Sequence, residues 1–374
     1  MTWDLFCAVI DNFGDIGVTW RLARQLAEEH HLPVRLWVDD LAAFRHIRPE
    51  IDAHADIQTL AGVEIRRWTS PMPDIEPGEV VIEALACDLP EDFVARMARR
   101  QQKPLWLNLE YLTAEDWARG VHGLPSPHPR LPLTKYFFMP GYEADTGGVT
   151  RERWLPERRD AFQRDAFWAG LGLPLDAPDE LRLSLFSYEN AALPGLLAAW
   201  AADSAPVRAL VPQGKALPEI AAWFGLSEVP APGRTLTRDS LILHVLPMLS
   251  QDDYDRLLWA CDLNFVRGED SFVRAQFAAR PLVWQAYRQE EEAHFAKLEA
   301  FLDLYCAEMA PTLAALTRES WHAWNREIGF GALWPALREA LPGLGRHVEL
   351  WWEHLATQTD LASNLLIFCK KKLE

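Results

Sequence analysis

No stretch of the 374-residue sequence approaches eighteen consecutive apolar residues, so no segment has the length and polarity of a membrane-spanning helix. The five cysteines, Cys7, Cys87, Cys261, Cys306 and Cys369, are scattered and form no CxxC pair, which argues against a zinc ribbon or a dithiol redox centre and predicts buried, reduced thiols. None of the eleven histidines falls in HExxH or in a His-Cys zinc spacing. GxGxxG, the P-loop GxxxxGK[ST] and GxSxG are missing too, which removes the fingerprints of dinucleotide, triphosphate and serine-hydrolase sites. Basic charge is in deficit: 37 Lys and Arg face 54 Asp and Glu, a formal net charge of -17, whereas a nucleic-acid backbone needs clustered cations. The N-terminus MTWDLFCAVID has an acid at Asp4 and no basic stretch before a short apolar run, so no export signal is read and a cytoplasmic protein is expected, with neither membrane nor nucleic acid as partner.

What is present is an ordinary globular composition, 49% apolar and 24% charged, on a chain long enough for two cores. In the first half, apolar runs alternate with helical patterns: LFCAVI, VRLWV, VEIRRW, VVIEAL and LWLNLEYL. Nearly continuous apolar strands in a βα alternation predict a parallel sheet of about five strands, covered on both faces. From Gly120 to Gly148 the chain is rich in Pro and Gly and is read as a functional loop region. The alternation restarts with LRLSLFSYEN, VRALVP, LILHVLPML, DLNFVRG and PLVWQAY, and the end, WWEHLATQTDLASNLLIFCKKKL, is read as one amphipathic helix. The expectation is an α/β protein of two Rossmann-like domains whose parallel sheets face a central cleft. The boundaries are 1–152, completed by a C-terminal helix at about 360–374, a linker at 153–178, and 179–359.

Ligands of doubly wound sheets sit outside the carboxyl ends of the strands, so the loops there carry the search. The first is DNFGDIGV, with Asp11, Phe13, Gly14 and Asp15. Two carboxylates at a helix start repel a phosphate, while the helix dipole stabilises their charge, so the loop suits a base or a cation site. An N-cap role explains one such Asp, not two. The second loop is Arg267-Gly268-Glu269-Asp270-Ser271, again between a strand and a helix, where N–H groups can face a diphosphate and where Asp270 or Ser271 can cap. Phe186 and Tyr188 in LFSYEN and Tyr287 in PLVWQAY lie at strand mouths and could stack a flat base or serve as core; Gln251 and Tyr254 hold a comparable place. Asp253-Tyr254-Asp255 matches a metal-binding DxD, yet acids in a helix's first turn are favoured without a metal.

In DNFGDIGV, LFSYEN, LSQDDYD and FVRGEDSFVRAQFA the chain resembles the elongation factor P arginine rhamnosyltransferases, the EarP family, over essentially its full length. The resemblance implies a GT-B glycosyltransferase fold and inverting, metal-independent transfer of rhamnose from dTDP-β-L-rhamnose to one arginine of elongation factor P, which activates that factor for relief of ribosome stalling at polyproline. It implies no cofactor and no metal. It makes Asp11 and Asp15 the catalytic carboxylates with Glu269 as a third essential acid. It places Phe13, Gly14, Phe186, Tyr188, Gln251, Tyr254 and Tyr287 with the nucleotide sugar, and Arg267, Gly268, Asp270 and Ser271 near its diphosphate. Tyr254 stands where related members carry Phe. An arginine acceptor gives the paired carboxylates a purpose, because a guanidinium with a pKa above about 12 must be bound as a cation and lose its proton only as it attacks. Asp15 then takes the proton and Asp11 orients the guanidinium, while Glu269 either positions sugar hydroxyls or shares the guanidinium. Two other readings fit the same residues: a GT-B transferase with a different sugar or acceptor, and a non-catalytic module that binds an arginine-bearing partner.

Overall fold

Residues with branched or aromatic side chains and little charge form the strands, and the polar-faced segments between them form helices. The computed structural model describes residues 1–10, 13–174 and 179–373. In chain order the first half runs β1 (Trp3–Cys7), α1 (Gly14–Glu28), β2 (Val34–Val38), α2 (Leu41–Ile47), β3 (Ile57–Leu60), β4 (Val63–Arg67), β5 (Val80–Ala84), α3 (Glu91–Arg99), β6 (Leu105–Leu109), α4 (Trp117–Val121), β7 (Pro125–Pro127) and β8 (Thr134–Phe138). Among the described residues these strands make an eight-stranded sheet in the order β3-β4-β2-β1-β5-β6-β8-β7. The six inner strands are parallel, and β3 and β7 close the edges as antiparallel hairpin partners. From β1 the chain winds outward through β2 and β4, then returns to build β5, β6 and β8 on the other side. The winding direction therefore reverses between β1 and β5, and a crevice opens there at the carboxyl ends of the strands.

The remainder runs α5 (Leu155–Asp160), α6 (Arg164–Gly170), β9 (Leu181–Leu185), α7 (Leu193–Ala201), β10 (Val207–Pro212), α8 (Leu217–Phe224), β11 (Thr235–Arg238), β12 (Leu241–Leu246), α9 (Gln251–Ala260), β13 (Leu263–Arg267), α10 (Asp270–Phe277), β14 (Leu282–Gln285), α11 (Ala293–Tyr305), α12 (Pro311–Asn325), α13 (Phe330–Thr357) and α14 (Leu361–Leu373). Its sheet has the order β11-β12-β10-β9-β13-β14, parallel except at β11. Here the winding reverses between β9 and β13.

Contacts divide the chain into two compact units, residues 1–155 with 357–374, and residues 156–356. In the first unit one face of the sheet packs Trp3, Leu5 and Cys7 against Trp20 and Leu22 of α1 and against Leu361, Leu365 and Cys369 of α14. The other face packs Phe6, Val81 and Trp106 against Phe93 and Met97 of α3. Asp4, fully buried within β1, is compensated: it accepts from Arg35 Nε (2.7 Å) and Nη2 (2.6 Å), Trp37 Nε1 (2.9 Å) and Gly78 N (2.7 Å). All five cysteines are free and buried. Among the described residues no helix is long and apolar enough to cross a membrane.

Two of these expectations change, the strand count of the first sheet and the single last helix. The Pro- and Gly-rich stretch from 120 to 148 contains β7 and β8, and β3 adds an edge before β4, so the first sheet has eight strands rather than about five; TKYFF forms a strand because β6 offers it a parallel partner. Residues 153–178 include α5 and α6, and Trp168 is fully buried among Leu210, Leu246 and Leu257 of the second unit. The last amphipathic segment is two helices: α13 stops at Thr357 and α14 starts at Leu361, with the Asp360 side chain accepting from Ser363 N at 3.0 Å as a cap.

Candidate active site

In the first unit Asp15 lies at the crevice between β1 and β5. α1 starts at Gly14 with Phe13 as its N-cap residue and no side-chain cap, so Asp15 is a first-turn residue rather than a cap. Its carboxylate reaches back over the loop, where Oδ2 accepts from Ile10 N at 2.8 Å and Oδ1 accepts from the Tyr111 hydroxyl at 3.0 Å. The residue is 1% exposed. These two bonds hold the carboxylate in one orientation. The Tyr111 hydroxyl is also 3.1 Å from the carbonyl oxygen of Leu85, which follows β5. Phe13 is half-buried and edge-on to His46 at 5.6 Å. Asp11 lies outside the described residues.

In the second unit the loops after β9, β13 and β14 and the start of α9 converge. The Arg267 guanidinium lies 4.5 Å from the Phe186 ring centre and 4.4 Å from that of Tyr188, and its Nε is buried without a hydrogen-bond partner among the described residues. Tyr254 packs on Phe186 at 5.5 Å, and Tyr287, 47% exposed, packs edge-on to Tyr188 at 5.6 Å. Gly268 has φ of +62°, a left-handed value natural to glycine; its N–H donates to Gln285 O at 3.1 Å and its carbonyl accepts from Trp284 Nε1 at 2.7 Å. The Ser271 hydroxyl accepts from Arg267 N at 3.1 Å and donates to the Arg267 carbonyl, folding the loop onto the start of α10. Gln251 Nε2 donates to Asp270 Oδ2 at 2.8 Å. Glu269 sits at the N-cap position of α10 without capping it, and its Oε2 is 3.9 Å from Lys297 Nζ.

Burial pushes the Tyr254 phenol well above its usual pKa, with the Arg267 cation pulling the other way. Ser271 is near enough to be felt by that phenol, but its proton goes to the Arg267 carbonyl, and Tyr254 Oη has no hydrogen-bond partner among the described residues. The DxD motif is taken up structurally. Asp255 receives Arg274 Nε at 3.0 Å and Nη2 at 2.7 Å, with both side chains almost wholly buried, and Asp253 bonds the Ser250 cap and Arg256.

The structure thus gathers Phe186, Tyr188, Gln251, Tyr254, Arg267, Gly268, Asp270, Ser271 and Tyr287 into one contact network, with Glu269 at its edge, and places Phe13, Gly14 and Asp15 together in the other unit. Tyr111, Gln285 and Lys297 join these groups without having been singled out. Tyr111 lies just past a strand end, as Phe186 does, and Gln285 is a buried amide closing an apolar strand; both were visible signals. Lys297 belongs to a helix whose sequence gives no hint of its neighbour.

Comparison with known proteins gives concordant results. The model of the family described as elongation factor P (EF-P) rhamnosyltransferase EarP matches residues 3–370. A protein-arginine rhamnosyltransferase of Pseudomonas putida is 50% identical over 377 residues, covering 100% of this chain and 99% of its own length. A solved structure described as the structural basis for EarP-mediated arginine glycosylation of translation elongation factor EF-P superposes with a TM-score of 0.70 at 38% identity, covering 99% of both chains. The glycosyltransferase VinC, solved with dTDP, matches in fold alone, with a TM-score of 0.53 at 10% identity over 99% of this chain and 100% of that one. The fold is that of the GT-B glycosyltransferases.

Proposed function

The chain belongs to the EarP family of EF-P rhamnosyltransferases, and from that premise we propose that it transfers rhamnose from dTDP-β-L-rhamnose to a guanidinium nitrogen of an arginine in elongation factor P, in the cytoplasm, with inversion and without a metal. It is a glycosyltransferase, and the observation that carries the finer reading is the buried Asp15 carboxylate at the strand-end crevice. A cationic acceptor gives such a group a charge-assisted partner, roughly twice as strong as a neutral one.

In the proposed step the guanidinium nitrogen attacks the anomeric carbon as the bond from that carbon to the diphosphate oxygen breaks. The leaving diphosphate keeps the bonding pair, and the nitrogen's proton passes to Asp15, so the modified arginine remains a cation. A carboxylate of pKa about 4 cannot deprotonate free arginine, so proton transfer accompanies or follows attack. Asp11 orients the guanidinium plane, and Phe13 and Gly14 border the sugar. Phe186, Tyr188, Tyr254 and Tyr287 flank the nucleoside with Gln251. Arg267, Gly268, Ser271 and the first N–H groups of α10 offset the charge growing on the diphosphate. Two acids beside that anion would oppose it, but Asp270 is engaged by Gln251 and Glu269 lies near Lys297, which supports Glu269 facing the sugar or the acceptor. The engagement of Asp255 by Arg274 supports the metal-free reading.

Intact mass spectrometry of EF-P incubated with the protein, dTDP-β-L-rhamnose and a chelator tests this. One added deoxyhexose on an arginine is expected, with the rate reduced at least about a hundredfold in Asp15→Asn. No mass gain while the donor still binds would sink the assigned acceptor or sugar.

A further inference from the structure

Asp15 is gripped by a hydroxyl with two places to send its proton. Tyr111 Oη is 3.0 Å from Asp15 Oδ1 and 3.1 Å from the Leu85 carbonyl oxygen, and a phenol has a single proton to give. A second donor to Asp15, Ile10 N–H, belongs to the backbone and cannot turn away. Leu85 and Ala86, which carry the second acceptor's strand end, both hold left-handed backbone, with φ of 57° and 62°. Two adjacent non-glycine residues rarely adopt that conformation, and such strain persists where the surrounding structure needs it. The Leu85 N–H donates to Leu109 O at 2.8 Å, tying this turn to the end of β6, two residues before Tyr111.

A base must be stable in two states, charged before turnover and neutral after it. A hydrogen bond to a carboxylate is roughly twice as strong as one to a neutral group, so the Tyr111 proton belongs on Asp15 while Asp15 is ionised. Once Asp15 is protonated that advantage is gone, and the Leu85 carbonyl, at nearly the same distance, becomes an equal partner. A rotation about one C–O bond then serves both states and leaves no buried polar group stranded.

We propose that Tyr111 is a positioning residue for the base, its hydroxyl orienting the Asp15 carboxylate and turning to the Leu85 carbonyl when Asp15 takes up the acceptor's proton. This rests on the reading of Asp15 as the base. The N–H bond of the guanidinium breaks and an O–H bond forms on Asp15, while Tyr111 keeps its own proton throughout.

Tyr111→Phe keeps the ring, which packs against the core of the first unit, and removes only the hydroxyl. Two measurements on the full-length protein apply: the pH dependence of kcat with dTDP-β-L-rhamnose and EF-P, and titration of Asp15 by carboxyl-13C NMR, assigned with Asp15→Asn. Loss of a donor to the charged form raises the carboxyl's pKa. The variant is therefore expected to lose about ten- to a hundredfold in kcat with both KM values within about threefold, and its acidic limb and Asp15 titration should move up together by about half to one pH unit. A lowered kcat with neither moved would reduce Tyr111 to a packing residue and overturn the proposal, as would a moved titration with an unmoved limb. If the wild type itself transfers nothing to EF-P, the proposed function fails and takes the catalytic sense of the proposal with it. The titration would then still report whether the hydroxyl grips the carboxylate.

Discussion

Arg267 shows how one side chain can serve a fold and a site together. Its guanidinium lies near two rings, Phe186 and Tyr188, at distances where cation–π attraction contributes about 0.5 to 2 kcal/mol, so the loop is braced before any ligand arrives. Tyr254 completes this aromatic floor through its ring, and its hydroxyl adds little. A buried hydroxyl without a partner costs stability, so Tyr254→Phe is expected to leave the melting temperature unchanged or slightly raised and the donor KM within about twofold. A fall of several degrees in a thermal melt would show that the phenol is bonded after all. Asp255 is the reverse case, a buried acid paired with Arg274 inside the second unit.

At the scale of elements, β12 carries a pH-sensitive group at its pairing with β11. His244 Nε2 is 2.6 Å from Arg208 Nη1, and its Nδ1 is 2.9 Å from Thr235 Oγ1, so the ring is held neutral between an arginine and a hydroxyl. Burial first, and then Arg208, lower its pKa from 6.5 to about 4. The unfolded chain therefore takes up a proton that the folded chain refuses, and stability is lost as pH falls from 6.5 towards 4. For a half-buried ring the loss is about 1 to 2 kcal/mol after solvent screening. Urea midpoints between pH 7 and 5 should fall more steeply in the wild type than in His244→Gln, and parallel curves would refute the assignment. The inner strands other than β8 were legible because their apolar runs are continuous: VRLWV and VVIEA appear with little or no adjustment as β2 and β5, whereas the half-buried TKYFF of β8 reads as loop. The edge strands β3, β7 and β11 were not, because a half-exposed hairpin such as PSP has no periodicity of its own and is a strand only through its neighbour. The same division holds for the site. RGEDS and LFSYEN announce themselves by a strand ending in chemistry, whereas the link from Asp15 to Tyr111 spans 96 positions and exists only once β1, β5 and β6 lie side by side.

On the scale of the whole molecule, the first unit depends on a segment far from it in sequence. Leu361, Ala362, Leu365 and Cys369 are at most 1% exposed in a core otherwise built from residues before 155, and Gln25 Nε2 reaches Asp360 at 2.9 Å. Burying each such apolar side chain contributes about 1.5 to 3 kcal/mol for the larger ones, so their joint loss rivals the 5 to 15 kcal/mol that holds a domain together. Deleting residues 358–374 should leave residues 1–155 open to limited proteolysis while the second unit stays resistant. A protected first unit in that deletion would show that α14 is dispensable.

That arrangement also sets a clock on the ribosome. The sheet that carries Asp15 emerges first, but roughly 200 residues of the second unit follow before α14 can reach it. At synthesis rates of about 5 to 20 residues per second the gap lasts about 10 to 40 s. Throughout that interval the nascent chain shows the exit tunnel's surroundings the part of the apolar sheet face that α1 leaves for α14 to cover. A nascent chain stalled before α14 has a second unit ready to fold and a first unit still waiting for its last wall.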